Sequence, residues 1–328
     1  MSVLENHGPA ACGVHLLPLR TDEVVDLAVA SRRTAGDYYA ELLRRNAITP
    51  QDGDILVVSS KVTSFHEGSA IRLTEIRPSW KARVLGRLFR KDPRKLQLVM
   101  ETGHVAAVIP MCWVLRIPAM RRVLLATSSN PDAMWQAFQR NNAFVLMVNA
   151  HSTYFDDAGV DYSNAPDGVV TLLPKDPCAA AARVRATVRE AFGVDVAVII
   201  TDTAAKLGRL GSTDVAVGYS GMDPLTRLTF SDDLFGVPRS GGVDLIIDSV
   251  AATAGLVMGQ TTEMTPGVIV RGVRYERQTP PQEREGMEAV AYPHGTMAKA
   301  VVLSILATAW FHLASALTLQ RWPRRTRA

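Results

Sequence analysis

A run of apolar residues at 194–201, with the sequence VDVAVIIT, most narrowly limits what this chain can fold into. Valine and isoleucine at most positions are typical of a strand buried on both faces of a sheet. A helical stretch at 178–192 precedes the run, and Gly193 ends that helix as glycine commonly does. The sequence therefore predicts a buried strand at 194–201, directly after a helix.

The rest of the chain alternates irregularly between strand and helix patterns. Further strands are expected at 54–60, 144–149, 171–174 and 267–271, and helical spacing is found at 21–45, 79–100 and 245–260. No GxGxxG follows a strand and no GxxxxGK[ST] is present, so a Rossmann or P-loop nucleotide site is unsupported. We predict the α+β class, with a mixed β-sheet and flanking helices.

Charge and cysteine content exclude several classes of protein. The net charge is only +4, and much of the excess lies in the tail at Arg321, Arg324, Arg325 and Arg327. A nucleic-acid partner is not expected, because the sequence shows no basic stripe with interleaved aromatic residues. The scattered Cys12, Cys112 and Cys178 suggest neither a disulfide framework nor a zinc site. With no signal peptide in the first residues, we expect a cytoplasmic protein.

An apolar stretch at 300–319 departs from the pattern of a plain soluble protein. It reads AVVLSILATAWFHLASALTL, with basic residues on both sides. About 20 such residues can cross a bilayer as a helix, with the basic end in the cytoplasm. The alternative is a long helix buried in a core or a dimer interface. We expect this helix to associate with a membrane or with a protein partner.

Four short polar segments follow apolar elements, where α/β-type proteins tend to build sites. Each also has a purely structural interpretation, as a strand terminus, an Asx turn, a helix N-cap or a helix C-cap. The third segment is the sharpest, because a carboxylate and a hydroxyl on a buried strand suit Mg²⁺ or Mn²⁺ and the basic pair after them suits phosphate. The segments are Ser59-Ser60-Lys61, residues 158–164, Thr201-Asp202-Thr203 with Lys206 and Arg209, and residues 257–261.

In their order and intervals these segments resemble the gamma-glutamyl ligases that add glutamate to the precursor of the deazaflavin coenzyme F-420. The similarity runs from about Gly13 to Glu276. The matching phrases are QDGDILVVSSK at 51–61, Glu67-Gly68, KDPR at 91–94, AGVDYSN at 158–164, TDT at 201–203, GSTDVAVG at 211–218, LVMGQT at 256–261 and VIVRG at 268–272.

The resemblance implies a gamma-glutamyl ligase-like fold, a homodimer, and a set of site residues. Divalent metal, Mg²⁺ or Mn²⁺, would be held by Asp161, Asp202, Thr203 and Gln260, with K⁺ as an additional cation. GTP would be bound by Leu17, Pro18, Leu19, Arg20, Ser60, Lys61, Asn164, Met258, Gly259, Gln260 and Thr261. The resemblance also implies a reaction in which GTP phosphorylates a substrate carboxylate and an amino acid amine, glutamate in this family, displaces the phosphate. Lys61, Lys206 and Arg209 are expected to stabilise phosphate oxygens.

Several positions depart from the family's pattern. Phe65 stands where a second lysine is expected, the phrase after Thr203 keeps only its basic positions, and residues 150–152 read AHS instead of RHG. An insertion at about 110–142 and the apolar C-terminal helix are extra. We therefore expect a ligase-like catalytic module at 13–276, a linker at 277–298, and an apolar helix with a basic tail at 299–328.

Three functions remain open on the sequence. The first is ligation of glutamate to the F-420 precursor. The second is ligation to another carboxylate, such as a folate or a secondary metabolite. The third is a non-catalytic binding or membrane-associated scaffold protein. Small-molecule carboxylate and amino acid substrates are the expected partners of the first two.

Overall fold

The structure is a computed structural model of the chain. It describes residues 13–140, 143–206, 209–227, 231–238, 240, 243–277, 286–291 and 296–317. The chain divides into two compact units, Met1–Val290 and Ala291–Ala328.

Short strands and helices alternate through the described chain. The strands are β1 (His15–Leu19), β2 (Ile55–Ser59), β3 (Ala70–Arg72), β4 (His104–Ile109), β5 (Val145–Ala150), β6 (Thr153–Asp156), β7 (Val169–Thr171), β8 (Ala197–Ala205), β9 (Ser212–Ser220), β10 (Leu225–Arg227), β11 (Val243–Leu245) and β12 (Gly267–Arg271). The helices are α1 (Leu27–Ala30), α2 (Ala35–Arg45), α3 (Ser60–His66), α4 (Trp80–Leu88), α5 (Pro93–Thr102), α6 (Met111–Val114), α7 (Pro118–Ala126), α8 (Pro131–Arg140), α9 (Pro177–Phe192), α10 (Ile246–Met258) and α11 (Thr296–Leu317).

A five-stranded mixed sheet forms the centre of the first unit, in the order β1-β12-β2-β8-β9. Only β2 and β8 are parallel to each other, with Ser59 beside Thr201. Helices cover both faces. Strand residues such as Leu56 and Val198 pack on α2 and α9, whereas their neighbours Val57 and Ile199 pack on α10. The predicted α+β class and mixed sheet with flanking helices are confirmed, and residues 196–201 of the predicted strand are buried, with side chains on both faces of the sheet.

The first unit also contains a second, smaller lobe with its own hydrophobic core. It contains the three-stranded sheet β4-β5-β6 and the pair β3-β7. Its core includes Leu96 and Val99 of α5, Leu146 and Val148 of β5, and Val170 of β7. The inserted segment forms α6, α7 and α8 between β4 and β5.

Several element boundaries differ from the sequence expectation. The helical stretch at 21–45 is two helices, because Asp26 caps one start and Thr34 caps another. The stretch at 79–100 is divided between α4 and α5, with Arg90 in the left-handed region at φ 51°. The strand predicted at 171–174 lies earlier, at β7, where it pairs with β3. Proline at 174 has no N–H to extend that pairing.

The second unit contains α11, whose apolar side chains Leu303, Ile305, Leu306, Trp310 and Phe311 are exposed. Within the part of the chain that the structure describes, no helix is both long enough and apolar enough to cross a bilayer. Leu319 and the basic tail at 321–327 lie outside the described residues, as does most of the predicted linker at 277–298. The association of 300–319 with a partner stays a prediction.

Candidate active site

The first part of the site comes directly after β2. The predicted strand end is instead a strand-to-helix junction, since Ser60 and Lys61 begin α3. Ser60 is buried, and its hydroxyl is hydrogen-bonded to the carboxyl of Asp202. Lys61 Nζ is ion-paired with Asp161 and lies 3.1 Å from Ser163 Oγ. The junction therefore connects both predicted metal-ligating aspartates.

Asp161 lies in the loop that leads to β7, where its backbone pairs with Thr171. The Ser163 backbone N–H donates to Asp161 Oδ1 at 2.9 Å. Burial alone would raise the pKa of Asp161, but hydrogen bonds from Lys61 and Ser163 outweigh it and hold the pKa below its usual value. Asp161 is therefore held as a carboxylate.

Asp202 lies within β8 and not at its end, because this strand continues to Ala205. The pairing with β9 shifts register between Ile200 and Thr201, an irregularity that re-aims the side chains after it. The pKa of Asp202 is raised to about 6, because burial outweighs the Thr203 backbone, Ser60 and Lys61, which lower it. The nearby negative charge of Asp161 contributes to this rise. The two aspartates thus repel each other at one end of the site.

A second cluster of oxygen atoms joins β8, β9 and the end of α10. The Thr203 hydroxyl lies 2.9 Å from Asp214 Oδ1 and 2.6 Å from Gln260 Oε1. The Gln260 amide donates to the same Asp214 oxygen at 2.8 Å. Thr203 and Asp214 are direct neighbours across the β8–β9 pairing. The cluster is therefore supported by two adjacent strands and one helix end.

The loop after α10 needs a glycine at its first position. Gly259 has φ 69° and ψ −175°, and an added Cβ would lie 2.6 Å from Glu263 Oε2. Such a conformation is essentially restricted to glycine. The predicted helix C-cap is thus confirmed. Asn164 Nδ2 donates to the Thr261 carbonyl oxygen at 3.2 Å, so this loop is tied to the loop that carries Asp161.

These groups surround one cavity of about 1130 Å³. The predicted site residues that line it are Ser60, Lys61, Asp161, Asn164, Asp202, Thr203, Met258, Gly259, Gln260 and Thr261. The cavity is thus large enough for a nucleotide-sized ligand together with part of a second substrate.

Comparison with known proteins identifies the family. Residues 34–272 match the family model described as F420-0:Gamma-glutamyl ligase. The Coenzyme F420:L-glutamate ligase of Methanopyrus kandleri is 35% identical over 241 residues, which cover 74% of this chain and 83% of that protein. This chain belongs to the F420-0:gamma-glutamyl ligase family. Proteins of the same description from Methanothermobacter thermautotrophicus and Archaeoglobus fulgidus are each 31% identical, over 81% and 73% of this chain and 89% and 82% of those proteins.

Members of this family are amide-bond-forming ligases, and the chain is an enzyme of that class. Its family resemblance was evident from the sequence phrases, and the match confirms it. The family match begins just before α2 and ends just after β12, so it includes neither β1 and α1 nor the C-terminal unit.

Six predicted site residues do not line the cavity. Leu19 is buried in the core, and Leu17 packs against that core from the edge strand β1. Pro18 and Arg20 also lie outside the lining, although the next residue, Thr21, belongs to it. Lys206 and Arg209 are exposed beyond the end of β8, and Leu207 and Gly208 between them lie outside the described residues. Their predicted contacts with nucleotide stay predictions.

Two residues of the site were missed by the sequence analysis. Asp214 holds Thr203 and Gln260, and Ser163 holds Asp161 and Lys61. Both occur inside the phrases that carry the family resemblance, GSTDVAVG and AGVDYSN. Asp214 could be predicted from its place in the strand pattern of residues 212–217, because a strand places every second side chain on the same face.

Some of the positions predicted to depart from the family pattern line the cavity. Phe65 is 4% exposed, packs with Ala30, Ala70 and Val169, and lines the cavity wall. Ile109 and Met111, at the start of the inserted segment, line the wall formed by the smaller lobe. These residues therefore contribute to the shape of the cavity.

Proposed function

We propose that this chain is a GTP- and divalent-metal-dependent L-glutamate ligase that forms an amide through an acyl phosphate. The observation that carries the proposal is the convergence of Lys61, Asp161 and Asp202 at one end of the cavity, beside the cluster of Thr203, Asp214 and Gln260. Anion-binding and cation-binding groups in one cavity suit a nucleotide triphosphate with its metal.

The side chains present fit a hard divalent cation. Within the described residues, no three His, Cys, Asp or Glu side chains gather as a metal site, so the donor set would be mixed. Asp161 and Asp202 supply two mutually repelling carboxylates, and Thr203 and Gln260 supply neutral oxygens. Mg²⁺ and Mn²⁺ prefer such oxygen ligands. When bound, the cation would neutralise phosphate charge and orient the γ-phosphate for transfer.

Lys61 has the clearest role among the remaining groups. Its ammonium is held by Asp161 and Ser163 at the cavity wall, so a phosphate oxygen can compete for it without a change of backbone. Lys206 and Arg209 are proposed as further phosphate contacts. Asn164 and the loop after Met258 would position the nucleotide, because they line the same wall and are hydrogen-bonded to each other.

The reaction balances without a nucleophilic side chain. An oxygen of the substrate carboxylate attacks the γ-phosphorus, the bond to the β-phosphate oxygen breaks, and GDP leaves. The amine of glutamate then attacks the acyl carbon, phosphate leaves, and the amine loses a proton. The chain's contribution is to hold the reactants in line and stabilise the phosphate charge.

The acceptor is proposed to be the F420 precursor or a related carboxylate. The names of the relatives support the coenzyme substrate. Phe65, Ile109 and Met111 favour a different carboxylate, because they give this cavity apolar wall positions where the family pattern has a lysine or no inserted segment. A homodimer and a K⁺ requirement are further proposals from the same family resemblance.

A product screen tests the proposal. The full chain is incubated with glutamate, Mg²⁺ or Mn²⁺, GTP or ATP, and a panel of carboxylates that includes the F420 precursor, and products are read by mass spectrometry. We expect GTP cleavage with a glutamyl amide product. The variant Asp202→Asn should lose turnover but keep its fold, and Asp167→Asn, an exposed aspartate outside the cavity, should keep both. Full activity of Asp202→Asn would refute the site assignment.

A further inference from the structure

Helix α4 carries an exposed apolar stripe that the proposed ligase function does not use. Trp80, Val84 and Leu88 are 69%, 52% and 64% exposed. Their spacing of four residues places them along one side of the helix. The opposite side, with Ala82 and Gly86, is buried against α5. The stripe is therefore not the side of α4 that packs on the core, because Ala82 and Gly86 form that side.

Five exposed basic residues surround this stripe. Residues 76–90 contain five basic side chains and no acidic one. No ion pair involves these five among the described residues. They are Arg77, Lys81, Arg83, Arg87 and Arg90. An apolar stripe flanked by unpaired basic groups is typical of helices that lie in the surface of an anionic membrane.

The inserted segment extends the same combination of groups. Phe144 packs edge to face on Phe89 at the end of α4 and on Trp113 of α6, with ring centroids 5.4 Å and 6.1 Å apart. Trp113, Ile117, Met120 and Val123 are exposed. Residues 104–131 contain Arg116, Arg121 and Arg122 and no acidic residue. The exposed apolar groups of α4 and of the insertion thus adjoin each other through one row of aromatic rings.

We propose that α4 and the inserted segment from Trp113 to Val123 form a peripheral docking face for an anionic phospholipid surface. A lipid surface matches both features, because its headgroups pair with arginine and lysine while its acyl boundary takes up Trp80, Val84 and Leu88. Another copy of this positively charged face would repel it. Nucleic acid would pair with the basic groups but would leave the aliphatic residues in water. The docking does not require a spanning helix.

Vesicle sedimentation of the full-length protein tests the proposal. The probes are phosphatidylcholine vesicles with and without phosphatidylserine, at low and at raised salt. We expect binding only to the vesicles with phosphatidylserine, and weaker binding at raised salt because the attraction is screened. Any contribution from residues 291–328 is common to all variants, since the full chain is used throughout.

Two paired variants isolate the face. Lys81→Glu with Arg87→Glu should weaken binding by about 30-fold or more, from two basic contacts at about 1 kcal/mol each. The control is Arg32→Glu with Arg189→Glu, which changes the net charge equally at exposed positions on α9 and beside α1. Trp80→Ala with Leu88→Ala should weaken binding by roughly tenfold. Its control is Phe235→Ala with Leu234→Ala, on an exposed loop with acidic neighbours. Each variant is first shown to unfold cooperatively like the wild type.

Three results would overturn the proposal. The wild type could fail to bind phosphatidylserine vesicles at low salt, or the α4 variants could bind as well as their controls. In the third, the wild type is a dimer that does not bind vesicles, and the α4 variants are monomers. That result would make the face a contact between copies of this chain.

Discussion

Lys61 and Asp161, 100 positions apart in the chain, form an ion pair between the start of α3 and the loop before β7. The lysine is proposed to bind phosphate and the aspartate to bind metal, and here their opposite charges neutralise each other. Ser163 contacts both side chains. The pair therefore fixes the positions of these two side chains at the cavity wall.

Replacement of Lys61 tests the role of this pair in the reaction. Lys61→Ala should raise the KM for the nucleotide or lower kcat by more than tenfold, which corresponds to about 1.4 kcal/mol of transition-state stabilisation. Steady-state kinetics with varied nucleotide measures both constants. Lys175→Ala, at an exposed position outside the cavity, is the matched control. An unchanged KM and kcat would refute the proposed contact between Lys61 and the nucleotide phosphate.

The side chain of Asp214 leaves no room for a Cβ atom at Gly255. A double-mutant cycle can test this restriction. An added Cβ at Gly255 would lie 2.8 Å from Cγ of Asp214, closer than real contacts allow. Gly255→Ala should therefore destabilise the chain and disturb the hydrogen bonds to Thr203 and Gln260. In the absence of the clash, alanine in this helix would be favourable by roughly 1 kcal/mol.

The cycle compares Gly255→Ala in the wild type and in Asp214→Ala, with urea unfolding as the measurement. We expect a loss of stability in the first background and a neutral effect or a gain in the second. Equal effects in both backgrounds would show that Asp214 does not restrict this position.

Lys91 and Asp157 form a buried ion pair whose two members should respond differently to replacement. The Nζ–Oδ2 distance is 2.8 Å, and the side chains are 3% and 9% exposed. Lys95 contacts the same aspartate oxygen at 2.9 Å. Asp157→Asn leaves a buried lysine without its partner and should cost about 3–5 kcal/mol of unfolding free energy. Lys91→Met removes the buried charge and leaves Lys95 on Asp157, so its cost should be much smaller.

The pH dependence of this pair has a definite sign. Burial raises the pKa of Asp157, but Lys95 and Lys91 together lower it below its usual value. A carboxyl with a lowered folded-state pKa stabilises the fold above the unfolded value of about 3.9, and this contribution is lost as the pH falls through the folded value. The difference in unfolding free energy between wild type and Asp157→Asn should therefore shrink below about pH 4. A difference that stays constant down to acid unfolding would contradict the pairing.

Phe65, at the position where the sequence resemblance predicts a lysine, is expected to be a packing residue. Phe65→Lys should lower stability more than Phe65→Leu, because it places an ammonium among Ala30, Ala70 and Val169. Unfolding by urea compares the two variants, and nucleotide titration measures affinity. An increase in nucleotide affinity with no loss of stability would show that the cavity can accept the lysine, and would contradict this expectation.

Much of the fold and the site could be predicted from local sequence. The run at 194–201 is apolar enough to require burial on both faces, and its residues 197–201 begin β8, an inner strand of the sheet. Glycine after α9 and after α10 marked both helix ends, because φ values of 72° and 69° are accessible to few other residues. The phrases around Asp161, Asp202 and Gln260 gave the family, since their order and spacing survive along the chain.

Contacts between distant segments were decided only by the tertiary structure. The sequence gives no measure of the bulge that follows Ile200, so Asp202 and Thr203 were expected after the strand and instead lie within it. The partnership of Asp214 with Thr203 and Gln260 depends on the β8–β9 register, and the Lys61–Asp161 ion pair depends on how two lobes close around the cavity. Local sequence determines which segments become strands and helices, because backbone preferences and side-chain periodicity act over a few residues. It cannot determine which side chains meet across 100 positions, because that depends on the packing of the whole chain.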